Sequence, residues 1–141
     1  MSGKDKKKLV LYFSYFRRKL TNMNIEELRD YCINKKGVVE GFPFDEVTLV
    51  FKVMNKMFAL TSLKGDLTVN LKCDPEKAVE LREHYDFVRP GYHMSKVHWN
   101  TIDLYKTLDD RLVRSWIDDS YNLIVKSLTK KLQAELKELP E

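Results

Sequence analysis

Residues 47–72, VTLVFKVMNKMFALTSLKGDLTVNLK, decide the fold of this chain. Val47, Leu49, Phe51 and Val53 recur at every second position, and Leu67, Val69 and Leu71 repeat the pattern. Successive side chains of an extended strand point to opposite faces, so each set forms one apolar face. Residues 57–63 read as the strand between them, with Asn55-Lys56 and Lys64-Gly65-Asp66 as turns. Connections this short cannot carry a parallel crossover, so the stretch predicts an antiparallel meander. The opposite face, with Thr48, Lys52, Thr68, Asn70 and Lys72, is polar and cationic. It is either plain solvent surface or a docking face.

Outward from the meander, the flanking segments read mainly as helices. On the N-terminal side Asn24-Ile25-Glu26-Glu27 is a capping box, followed by Leu28 and Cys32 on one face and Gly37 as a stop. Gly41-Phe42-Pro43-Phe44 then reads as a loop with two aromatic anchors. On the C-terminal side Asp74-Pro75-Glu76 opens a helix to about residue 85, with proline at its first position and acid in its first turn. Next comes Arg89 to Asn100, where Pro90-Gly91 forces a turn and residues 94–104 have the aromatic and β-branched content of a strand. From about Asp109, Leu112, Trp116, Ser120, Leu123, Leu128, Leu132 and Leu136 form a helical stripe. An unbroken helix of that span would be roughly 40 Å long. A small sheet cannot cover it, so its last part should bend, or project and pair with residues 9–20.

That N-terminal segment, with Leu9, Phe13, Phe16 and Leu20 on one side, reads as a short amphipathic helix with a basic flank. It is expected to pack on the body or on a second copy of the chain rather than on a membrane. Charge divides the chain at the same place. Residues 1–22 carry seven Lys/Arg and one acid, whereas residues 23–141 carry eighteen Lys/Arg against twenty acids. The reading is therefore a basic extension over 1–22 and a single α+β domain over 23–141, on which any cationic surface is a local patch. No apolar run approaches the ~20 residues of a membrane span. The apolar run after Lys4-Asp5-Lys6-Lys7-Lys8 is too short, and too soon followed by Arg17-Arg18-Lys19, for a signal peptide. Cys32 and Cys73 are far apart, and two free thiols in a cytoplasmic protein is the simplest expectation, though one disulfide stays open.

Searching for chemistry narrows the classes. The five glycines are scattered, so no phosphate loop or dinucleotide fingerprint is present. His93 and His98, five apart on an extended strand, would point to opposite faces, and no metal site or cofactor is expected. No nucleophile–base signature stands out, which points to a non-enzyme without catalytic residues. Two binding readings remain. In the first, Lys52, Lys56, Lys72, Arg89 and Lys96 contact phosphates while His98, Trp99 and Asn100 support them or stack. In the second, Phe42, Phe44, His93, Trp99 and Asn100 build an aromatic pocket for a protein or small ligand.

Taken as an ordered set, several motifs resemble the MmcQ/YjbR family of small bacterial proteins. They are Asn24-Ile25-Glu26-Glu27-Leu28-Arg29, Val50-Phe51-Lys52-Val53, Lys56-Met57-Phe58-Ala59, Leu71-Lys72-Cys73-Asp74-Pro75-Glu76, Pro90-Gly91-Tyr92-His93-Met94, Lys96, His98-Trp99-Asn100 and Ser120-Tyr121. They span roughly residues 24–128, leaving the basic extension outside. The resemblance implies a frataxin/CyaY-like α+β sandwich, with helices on one face of an antiparallel sheet. It also implies a "double-wing" mode of DNA binding, expected here to be weak and sequence-independent.

Overall fold

The structure is a computed structural model and describes residues 6–9 and 21–141. Its strands are β1 (Val38–Gly41), β2 (Thr48–Val53), β3 (Lys56–Ser62), β4 (Thr68–Lys72), β5 (Val88–Pro90) and β6 (Trp99–Asp103). They form one sheet in the order β1-β2-β3-β4-β6-β5, antiparallel at every pairing. The helices are α1 (Ile25–Ile33), α2 (Pro75–His84), α3 (Asp110–Ser127) and α4 (Lys130–Glu138). Their apolar sides meet the inner face of the sheet, where Leu28, Phe51, Phe58, Ile102, Leu104 and Ile117 are fully buried. This is the α+β architecture that the meander and its helical flanks predict.

The expected helix starts are present. Asn24 Oδ1 accepts the Glu27 N–H at 2.8 Å, and Asp74 and Asp109 cap α2 and α3 in the same way. The long terminal stripe does break. Leu128 is extended, and the Thr129 hydroxyl oxygen caps α4 through the Leu132 N–H. Leu128 and Leu136 then join the core, and Leu136 lies over Gly37. The buried side of α3 is Val113, Trp116, Ile117, Ser120 and Ile124, one step round from the predicted stripe. The pairing expected of residues 9–20 falls almost wholly outside the described residues.

Several expectations need correction. Gly41, read as the start of a loop, instead ends edge strand β1, in which Val38 to Gly41 pair along the open side of β2. The first helix ends at Asn34, whose side chain donates to the Asp30 carbonyl; Gly37 instead makes a left-handed turn at φ +74° into β1. The β2–β3 turn is centred on Met54 and Asn55, both at positive φ, so Lys56 already belongs to β3. The strand expected over 94–104 starts only at Trp99. Pro90 ends the short edge strand β5, where its missing N–H costs nothing. Residues 91–98 are a loop, so the two-faces reasoning for His93 and His98 does not apply.

One irregularity sets the centre of the sheet. Phe51 pairs with Ala59 but Lys52 with Met57, leaving Phe58 as an extra residue on β3. Its carbonyl is diverted from the β4 ladder, and the fully buried Ser120 of α3 fills the gap. The Ser120 hydroxyl donates to Phe58 O at 2.6 Å and accepts the Lys72 N–H at 2.9 Å.

Candidate functional site

Register places the candidate site on the face of the sheet against which no helix of the described residues packs. Directly opposed residues of an antiparallel pair share a face. Val50, Leu60, Asn70, Thr101 and Arg89 therefore form one row from β2 to β5 on this outer face. Thr48 with Ser62, and Thr68 with Asp103, continue it toward one end. Lys52 opposite Met57, and Lys72 opposite Trp99, lie toward the other.

Two loops turn the polar end into a cleft of about 640 Å³. Phe44 and Asp45 stand on one side, Tyr92, His93 and Met94 on the other, with Leu60, Thr68, Asn70, Arg89 and Thr101 among the lining. Loop 91–98 is held in place by its backbone. Gly91 N–H donates to Trp99 O at 2.9 Å, the Tyr92 N–H donates to Thr101 Oγ1 at 3.0 Å, and Thr101 Oγ1 donates to Asn70 Oδ1 at 2.6 Å. A Cβ on Gly91 would lie 2.8 Å from the Trp99 Cβ and 2.9 Å from its carbonyl oxygen, so only glycine fits. Beneath the loop Trp99, Val50 and Leu60 make a small second core with Met57 and Met94. The Tyr92 and His93 rings lie 4.0 Å apart, and both side chains are exposed. His93 is held at φ +57°, an uncommon conformation for a residue with a Cβ.

The charges of this face are unevenly disposed. In the cleft, Arg89 makes a two-pronged pair with buried Asp103, its Nη2 reaching Oδ1 at 2.7 Å. The hydrogen bonds to Asp103 push Arg89 further up from its ordinary pKa. Asp45 Oδ1 accepts the Val47 and Thr48 N–H groups, which hold its carboxyl below the usual range, so it remains anionic at the cleft mouth. Lys52, Lys56 and Lys72 are different. No carboxylate among the described residues pairs with their side chains. Lys52 and Lys72 flank Met57 two strands apart, a Cα separation of roughly 10 Å from strand spacing.

Of the expected phosphate-contacting set, the structure brings Lys52 and Lys72 to this face, whereas Lys56, paired with buried Val53, lies at the start of β3 on the helix side of the sheet. Lys96 and His98 are exposed in loop 91–98. Arg89 lines the cleft but is already paired. Asn100 does not belong to this face: it is 1% exposed on the helix side, where its Nδ2 donates to Ala78 O and its Oδ1 accepts from Arg82. Of the expected pocket residues, Phe44 and His93 line the cleft, Phe42 does not, and Trp99 lies in the small second core beside it. The alternation of β2 and β4 already exposed Thr48, Thr68 and Asn70. Tyr92, Thr101 and Leu60 were missed because only the β3–β4–β6 register brings them together.

A family model described as YjbR matches residues 33–123. The chain is 38% identical over 97 residues to the uncharacterised protein YbdF of Escherichia coli O157:H7, covering 68% of this chain and 80% of that one. It is 33% identical over 118 residues to the uncharacterised protein YjbR of Escherichia coli K12, covering 83% of this chain and 100% of YjbR. Among solved structures, a Deinococcus radiodurans protein with a DUF419 domain matches with a TM-score of 0.72 and 40% identity, covering 83% of this chain and 89% of that one. A Pseudomonas syringae protein matches with a TM-score of 0.63 and 29% identity, covering 72% and 98%.

Proposed function

This chain belongs to the YjbR family, and we propose that the outer face of its sheet is a weak, sequence-independent DNA-binding surface. The observation that carries the reading is Lys52 and Lys72, unpaired among the described residues, on the same face as a cleft walled by exposed aromatic rings. Lysine contacts to phosphate release counterions and need no base sequence. Among the described residues no helix stands on this face, so they offer nothing to a major groove for direct readout. In this reading the chain is a binding module, and its two buried free cysteines, Cys32 and Cys73, suit a reducing, cytoplasmic setting. The cleft taken alone also favours a small-ligand site; the lysines beside it tip the balance toward a polyanion.

The test is fluorescence anisotropy with labelled DNA of random sequence at two salt concentrations. The wild-type chain should bind, more weakly at the higher salt, and Lys52→Glu with Lys72→Glu should weaken binding at least about tenfold. A double variant that binds as the wild type does sinks the reading.

A further inference from the structure

We propose that the cleft takes one unstacked base of a single-stranded nucleic acid, whose backbone runs over Lys52 and Lys72. This inference rests on the nucleic-acid reading and adds what the cleft itself holds. Its charge inventory selects the occupant. Arg89 is paired with buried Asp103, and Asp45 adds a carboxylate at the mouth. A phosphate placed there would meet an anion and a cation already engaged. A neutral base meets neither objection. The Asp45 carboxylate can accept an exocyclic N–H, and Thr68 presents a hydroxyl with no partner among the described residues.

The walls point the same way. Phe44 and Tyr92 are each 64% exposed, and Tyr92 lies against His93, so two flat π surfaces stand open on opposite sides of one cleft. Exposed aromatic rings beside a cationic track are how single strands are held, because every base has a face to stack. A paired base inside a duplex cannot enter between two loop walls without being extruded, at the cost of its stacking and pairing. Phosphates on the open lysine-bearing end and a base in the near-neutral cleft are thus two halves of one strand.

The experiment uses the full-length chain and four labelled probes of equal length: a mixed-sequence single-stranded DNA, the same strand as duplex, the same sequence as RNA, and an abasic deoxyribose-phosphate strand. The abasic strand keeps every phosphate and removes every base. Base-bearing single strands should bind about tenfold more tightly than the abasic strand and the duplex, the scale of one stacked base. Comparison of the DNA and RNA strands identifies the natural backbone. Tyr92→Ala should abolish that advantage and leave abasic binding unchanged. Thr68→Phe, which fills the cleft floor, should do the same, and thermal melts check that both variants fold. Equal binding of all four probes, still lost with Lys52→Glu and Lys72→Glu, overturns the base site and leaves the surface reading standing. Binding insensitive to those lysines overturns both.

Discussion

At the scale of single residues, the side chains that matter most are those whose partners cannot be replaced by water. Ser120 is fully buried and satisfies two backbone groups that the β3 bulge strands. Ser120→Ala should therefore cost about 1–3 kcal/mol, more than a surface serine would, because the Phe58 carbonyl and Lys72 N–H are left without partners. Urea denaturation measures this, and an unchanged midpoint would show that the sheet closes the gap by itself. Arg89 invites a similar test. Its carboxylate partner Asp103 is buried and without Arg89 would keep only Lys106, whose Nζ lies 3.9 Å away, so Arg89→Ala should cost about 1.5–3 kcal/mol. A loss below about 1 kcal/mol, the scale of a surface ion pair, would contradict that role. His93 is the converse case. A non-glycine residue held at positive φ is strained, so His93→Gly should raise the melting temperature slightly while weakening strand binding if the ring supports Tyr92.

At the scale of elements, the sequence was legible wherever a local pattern was complete. Strict alternation marked β2 and β4, and Asn24, Asp74-Pro75 and Asp109 marked three helix starts through their own capping chemistry. Edge strands β1 and β5 were not legible, because four and three residues carry too little alternation and owe their state to a neighbour's open ladder. The Arg89 to Asn100 segment was half legible. Its Pro-Gly punctuation was visible, but Val97 and Trp99 imitated a longer strand, and only the close approach of Gly91 to Trp99 forces the chain into a loop. The same distance effect hid Asn100, whose partners on α2 are 18 and 22 residues away. Between α1 and α3, Tyr31 shows how a tertiary contact becomes a pH response. Burial first, and its hydrogen bond to Asp118 second, push the Tyr31 phenol up to about 12. Its folded pKa exceeds the ordinary value near 10, so the contact's contribution is intact below about pH 10 and is lost as pH rises toward 12. Tyr31→Phe should lessen the fall in stability over that window, read from denaturation midpoints at pH 9 and pH 11; equal falls would remove Tyr31 from the alkaline response.

At the scale of the whole molecule, two cationic regions compete to explain any affinity for a polyanion. Residues 1–22 hold seven Lys/Arg against one acid, and the outer sheet face holds Lys52 and Lys72, unpaired among the described residues, on a body with slightly more acids than bases. Field strength alone would favour the extension, since net charge draws counter-ions from a distance whatever lies beneath it. The two regions differ in what they do to the salt dependence. Each phosphate neutralised on a single strand contributes about −0.7 to the slope of log K against log salt, so Lys52 and Lys72 acting together contribute about −1.4. Changing Lys4, Lys6, Lys7 and Lys8 to Gln should lower overall affinity yet leave a slope of at least about −1.4 and the preference for base-bearing over abasic strands. Changing Lys52 and Lys72 to Glu should flatten the slope by about 1.4 or more and erase that preference, because the strand is no longer led across the cleft. Anisotropy titrations at four salt concentrations with both sets of variants decide the matter. If the tail variant loses all binding while the sheet variant keeps the wild-type slope, the folded face is not the site, and the affinity belongs to the basic extension alone.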